Sequence, residues 1–178
     1  MASTGQAVVN GATGERVIFQ QLACHTAGAL VRGDGFMGLG VGVRGRHIHP
    51  NQEERFEVVE GLIRFQVGRQ NRVARAGEVI VVPAGTPHTL RNAGESDAQF
   101  IFEFRPALNI ETFLENAFAM LSVRGPGTSL PMILEFSELT AHYRREFQLA
   151  PFPLRWVTTL AAPFGRLAGY RPRFEVEA

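Results

Sequence analysis

The stretch GRHIHPNQEERFEVVEG, residues 45–61, sets His47 and His49 one residue apart, just ahead of a proline and the acidic pair Glu53 and Glu54. Its Phe- and Val-rich second half reads as β-strand. Side chains on a strand alternate faces, so the two histidines point the same way with their Cα atoms about 6.6 Å apart. Imidazoles at that separation can converge on one ion, through metal–nitrogen bonds of about 2.0–2.1 Å. A lone His-x-His also describes surface or hydrogen-bonded histidines, so the rest of the chain must decide between them.

Outward from this stretch the β-pattern continues. From Arg16 to about Phe104 the chain is a series of short runs, RVIFQQL, FMGLGVGVR, RFEVVE, LIRFQV, NRVAR, EVIVV and AQFIFEF, with Gly, Asn and Pro at the breaks. That spacing predicts an all-β sandwich or barrel rather than βαβ units. After Pro106 the period changes. Ile110, Phe113, Leu114, Ala117, Phe118 and Leu121 lie on one face of a helix with Asn109 as its N-cap. A second helix is expected from near Pro131, carrying Ile133, Phe136, Tyr143 and Phe147 inward, and a third from about Leu154, broken or kinked at Pro163. The expected organisation is a barrel over residues 1–105 and a helical extension over 106–178 packed on it as one unit, because none of these helices hides its apolar face alone.

The totals exclude several classes. All 18 basic residues are arginine, against 17 carboxylates and a net charge of +1, so the basic footprint of a nucleic-acid binder is absent. One cysteine, Cys24, allows neither an internal disulfide nor a Cys-based metal site. The N-terminal residues lack the pattern of a secretion signal and no run reaches membrane-span length, which makes the cytoplasm the expected compartment. The arginines around the last helix leave a membrane surface or a partner as its lesser alternative.

A second segment supplies what the first lacks. In GEVIVVPAGTPHTLRN, residues 77–92, His88 follows a buried-looking strand and a Pro-Ala-Gly turn. With this in view the chain resembles the cupin superfamily. Its first motif is matched by His47, His49, Glu54 and Gly61, with four residues between His49 and Glu54 and six between Glu54 and Gly61. The leading glycine is displaced, since Gly40 and Gly42 flank its place. The second motif is matched at every position by Gly77, Pro83, Gly85, His88 and Asn92, and fifteen residues separate the two.

The resemblance implies a mainly β fold: a cupin, jelly-roll-like β-barrel, here with a C-terminal α-helical extension. It also implies one divalent transition metal (Fe, Mn, Ni, Co, Cu or Zn) held by His47, His49, Glu54 and His88. Motif spacing favours Glu54 over Glu53, which faces the other way. Gly38, Gly40 and Gly42 are read as relieving crowding in a curved strand or admitting a ligand, His25 and His142 as ordinary surface or capping histidines, and Cys24, with no activating neighbour beyond His25, as no catalytic thiol.

Alternation carries Phe56 and Val58 inward with Glu54, and sets Phe100, Phe102 and Phe104 on one face against Gln99, Ile101 and Glu103; Ile63, Phe65, Phe100 and Phe102 join Phe56 and Val58 as an apolar substrate pocket. With no lysine, and with Tyr143 and Tyr170 in the tail, proton-transfer groups are scarce apart from Glu54, the expected catalytic residue. The three-His, one-Glu set resembles that of cupin dioxygenases, and that resemblance implies the leading expectation: oxygenase or dioxygenase chemistry on a small apolar or aromatic compound. The alternatives are a metal-dependent isomerase, epimerase or polyketide cyclase, and a non-catalytic small-molecule-binding module. A homodimer is expected from pairing of an open sheet edge, with Val17 to Leu22 as the contact.

Overall fold

The computed structural model describes residues 2–43, 45–125, 127–150 and 152–174; residues 175–178 of the expected extension lie outside the described residues. Ten strands run before the helices: β1 (Ala7–Val9), β2 (Arg16–Gln21), β3 (Val31–Met37), β4 (His47–Ile48), β5 (Glu53–Glu60), β6 (Leu62–Val67), β7 (Gln70–Arg75), β8 (Val79–Val82), β9 (His88–Asn92) and β10 (Ala98–Arg105). The tail holds α1 (Ile110–Arg124), α2 (Leu130–His142), a short strand β11 (Gln148–Leu149) and α3 (Phe152–Leu167). Among the described residues the strands form two antiparallel sheets, β1-β2-β3-β10-β5-β8 and β11-β4-β9-β6-β7.

The inner faces of the two sheets meet in an aromatic core. Along β5 the residues Glu54, Phe56 and Val58 are buried, and along β10 the residues Phe100, Phe102 and Phe104. From Phe100 onward these two strands keep one register, with Phe102 opposite Phe56 and Phe104 opposite Glu54, after a shift between Gln99 and Phe100. Ile63 and Phe65 enter from β6. Phe56 stands 5.2 Å from Phe65 and 5.8 Å from Phe100, ring centre to ring centre, within the range of favourable aromatic pairs.

Two glycines of β3 make this filling possible. Gly35 and Gly33 lie directly across from Phe100 and Phe102. A Cβ on Gly35 would stand 2.2 Å from Phe100 Cζ, and one on Gly33 would stand 2.6 Å from both Phe102 Cζ and the Ile18 carbonyl oxygen. The rings therefore lie over the two positions of the inner face of β3 that carry no side chain, between Val31 and Met37.

The outer face of β10 carries Glu103, which is buried beneath arginines. Its carboxylate pairs with Arg32, with Arg105 at 2.8 Å and with Arg55 at 3.9 Å. Burial favours the neutral acid, but Arg105, Arg32 and Arg55 overcome it and hold the carboxyl below its ordinary value.

Several sequence expectations are corrected here. FMGLGVGVR is not one strand: β3 ends at Met37, and Gly42 makes only an isolated bridge to Arg91. A Cβ on Gly42 would come within 2.4 Å of the Leu90 carbonyl, so this glycine does relieve crowding, between a turn and β9. The segment Val17 to Leu22 falls largely in β2, which is flanked by β1 and β3, so it is no open edge. Asn109 precedes α1, but its side chain makes no capping hydrogen bond. The second helix ends at His142, so Tyr143 and Phe147 reach the core from the turn beyond it.

The third helix runs unbroken through Pro163. It packs on α2 rather than on the barrel. Its covered side carries small residues, Thr158, Ala162 and Gly165, and a Cβ on Gly165 would stand 2.4 Å from the Leu134 carbonyl. Its large apolar residues, Val157, Leu160, Phe164 and Leu167 among them, are exposed.

Gly33→Ala is expected to lower stability by about 1–3 kcal/mol through overpacking against a backbone carbonyl. At about 2–4 °C per kcal/mol in a chain of this size, calorimetry should register a clear fall in melting temperature. An unchanged melting temperature would contradict the close approach.

Candidate metal centre

Both sheets contribute to one buried cluster. His47 and Ile48 form β4, a strand of two residues, in which His47 is the direct cross-strand partner of His88 on β9. His49 follows at the next inward position. Glu54 comes from β5 in the opposing sheet. Its alternation settles the tandem carboxylates: Glu54 is buried and Glu53 is exposed.

The side chains of His47, His49, Glu54 and His88 each present one donor atom, and these four atoms lie within 4.8 Å of one another. Glu54 Oε2 is 2.8 Å from His88 Nε2 and 3.5 Å from His49 Nε2. Glu54 Oε2 and His88 Nε2 are both buried, and neither has a hydrogen-bond partner outside this pair. A cation among the donors would satisfy both atoms. Three imidazoles and a carboxylate suit a divalent transition metal, so the residues present fit such an ion.

Each histidine is oriented from behind. His47 Nδ1 faces the Gly45 carbonyl at 3.5 Å, His49 Nδ1 the Glu146 carbonyl at 2.6 Å, and His88 Nδ1 the Thr86 carbonyl at 3.0 Å. A carbonyl only accepts, so the ring proton is held on Nδ1 and the Nε2 lone pair is left for the cluster.

Burial and the positive potential of His88 and His49 push His47 well below its ordinary value, and burial lowers His49 despite the opposing pull of Glu54. His88 goes the other way: burial works against its charge, but the Glu54 carboxylate prevails and raises it.

Phe104 stands edge-on to His49 at 4.9 Å, and Phe147 lies nearly parallel to His47 at 5.0 Å and 16°. Sequence reasoning placed Phe104 and Phe147 inward but gave neither a place at the site, and it missed Glu146 altogether. Only the parity of β10 pointed to Phe104; a backbone carbonyl leaves no trace in a residue pattern. The six residues assigned to the pocket, Phe56, Val58, Ile63, Phe65, Phe100 and Phe102, are all buried in the barrel core. Cys24, His25 and His142 are exposed and take no part in the cluster. No helix among the described residues is long and apolar enough to cross a membrane.

Comparison with known proteins agrees with this architecture. The chain is 33% identical over 76 residues to "Polyketide synthase CurC" of Streptomyces cyaneus, a match over 40% of this chain and 49% of that protein. It is 32% identical over 85 residues to "Protein SchB" of Streptomyces halstedii, over 46% of this chain and 59% of that one. The chain thus spans between half and three-fifths of these curated relatives.

An RmlC-like cupin from Shewanella frigidimarina superimposes with a TM-score of 0.51 at 21% identity, covering 62% of this chain and 94% of that one. KdgF from a Halomonas species gives 0.50 at 20% identity, covering 60% and 90%. Residues 37–104 match the cupin domain family. With two antiparallel sheets enclosing a His/His/Glu/His cluster, the barrel of this chain has the cupin fold.

Proposed function

We propose that the chain is a metal-dependent cupin enzyme acting on a small, largely apolar carbonyl compound of polyketide type. His47, His49, Glu54 and His88 hold one divalent transition metal, and Glu54 doubles as the base. The observation that carries this reading is the convergence of four buried donors, two of them unsatisfied, in an aromatic interior. The metal supplies a Lewis acid that draws charge from a substrate carbonyl. Glu54 removes a proton beside that carbonyl, and the packed rings of Phe56, Phe65, Phe100 and Phe102 keep the interior next to the donors apolar and free of water. The name of the Streptomyces cyaneus relative supports the substrate class and favours proton-transfer chemistry such as cyclisation.

Oxygenation of the same kind of compound is a second reading. It is favoured by the scarcity of inward groups able to move protons. The two readings separate on oxygen. Protein loaded with Fe(II), Mn(II), Co(II) or Zn(II) is assayed against aromatic and polycarbonyl compounds in air and under strict anaerobiosis. Turnover undiminished without O2 supports proton transfer, and turnover that disappears when O2 is removed supports the oxygenase. Tight binding without turnover, whatever the metal, would reject both in favour of a binding module. Assembly as a homodimer is a further part of this proposal, supported by the exposed apolar side of α3; a light-scattering mass of one chain, 19.6 kDa, would reject it.

The metal assignment has its own tests. A His47→Ala, His88→Ala double variant is expected to lose bound metal that the wild type retains through dialysis, and equal metal in both would defeat the assignment. Glu54→Gln is expected to keep part of its metal through three imidazoles while losing turnover. Metal uptake should also depend on pH. In the metal-free protein His88 keeps its proton to a higher pH than an ordinary histidine, and an ion must displace that proton. Affinity is therefore full above the raised value and falls as the pH drops through it, which titration with a chelator at a series of pH values would register.

A further inference from the structure

The carbonyl behind His49 and the ring beside His47 both come from the segment that follows α2, outside the matched domain and nearly a hundred residues beyond the histidines in sequence. We infer that this segment, residues 145–150, is a strap built into the metal centre, and that Phe147 and Glu146 are positioning residues for His47 and His49. The inference rests on the metal reading proposed above.

The strap is stitched along the whole ligand-bearing stretch. Ala150 N–H donates to the Arg46 carbonyl at 2.9 Å, β11 pairs with β4 through Gln148 with Ile48 and Leu149 with His47, and the Asn51 amide donates to the Arg145 carbonyl at 3.0 Å. These contacts matter because β4 is two residues long and meets β9 at one paired position. Strands that short do not fix their own orientation, so the second neighbour is what holds β4 in place.

Glu146 is itself tied down. Its buried carboxylate accepts the Asn109 N–H at 3.3 Å at the start of α1, so the turn that aims its carbonyl at His49 is braced by the first tail helix. Phe147 is backed in the same way. On its far side it stacks on Phe113 of α1 at 4.9 Å and 24°, and Phe136 of α2 meets it edge-on at 6.0 Å. A column of rings thus runs from α1 through Phe147 to His47. The tail supplies the carbonyl behind His49 and the ring stacked on His47. Loss of such partners typically weakens metal affinity by about 10–100-fold.

Two measurements on the full chain test this. The first uses metal-free protein: long-range 15N NMR should find His49 as the Nδ1–H tautomer in the wild type. The Nε2–H form would overturn the strap's role whatever metal is bound. The second follows Co(II) affinity by chelator competition, together with the visible Co(II) absorption, in the wild type, Phe147→Ala and Phe147→Leu.

Phe147→Ala is expected to bind Co(II) about 10–100-fold more weakly with an altered absorption band. Phe147→Leu fills most of the volume without a flat ring, so it should regain thermal stability but not the wild-type spectrum; it also serves if the alanine variant fails to fold. Unchanged affinity and spectrum in the leucine variant would overturn the inference, as would losses that merely follow melting temperature. A wild type that shows the Nδ1–H tautomer yet takes up no Co(II) would overturn the metal reading instead, leaving the strap to orient histidines that bind no ion.

Discussion

A carboxylate enclosed in an aromatic interior is the constraint on which the rest of this molecule depends. Removing Glu54 from water is costly unless charge and hydrogen-bond partners are returned to it, and three imidazoles are the groups positioned to do so. To bring them there the chain must set Glu54 on one sheet and His47 and His88 side by side on the other. The remaining architecture follows from holding those two sheets at a fixed separation. Phenylalanines from β5, β6 and β10 fill the space, and Gly33 and Gly35 yield the room that two of the rings occupy.

Much of this was legible in the sequence because a strand has a period of two. Once Glu54 faces inward, parity fixes Phe56 and Val58, and the same rule placed the phenylalanines of β10. Motif spacing then reduced the candidate donors to four. What was not legible lies where side-chain pattern carries no information. The His49 contact is made by a backbone carbonyl, which any residue would present. Phe147 was read as part of a helix face, yet it reaches the core from the turn past the helix end. The apolar residues of α3 suggested a covered helix, but its small residues are the covered ones, since close approach to α2 selects for size rather than hydrophobicity.

The tail also changes how the site is bounded. A barrel alone would leave β4 at a sheet edge, with His47 on a two-residue strand and His49 just past its end, open to solvent or to another strand. Here β11 occupies that edge, and the buried cluster of the barrel continues without a break into α1 and the end of α2 through Ile110, Phe113, Phe118, Leu139, Tyr143 and Phe147. Stability of the helices and order at the donors are thereby coupled: loosening α1 would loosen Glu146, and with it the ring of His49.

The arginines over Glu103 point to a property of the molecule in bulk solution. Every positive side chain is a guanidinium, which keeps its charge far beyond neutrality. Lysines would discharge near pH 10 and leave the protein strongly anionic; here there is no lysine to lose its charge above the isoelectric point near 8.1. Net charge therefore stays close to zero across a broad alkaline range. Mutual repulsion between molecules is weak throughout that range, and colloidal stability is gained by acidification, which uncovers the fixed positive charge, rather than by raising the pH.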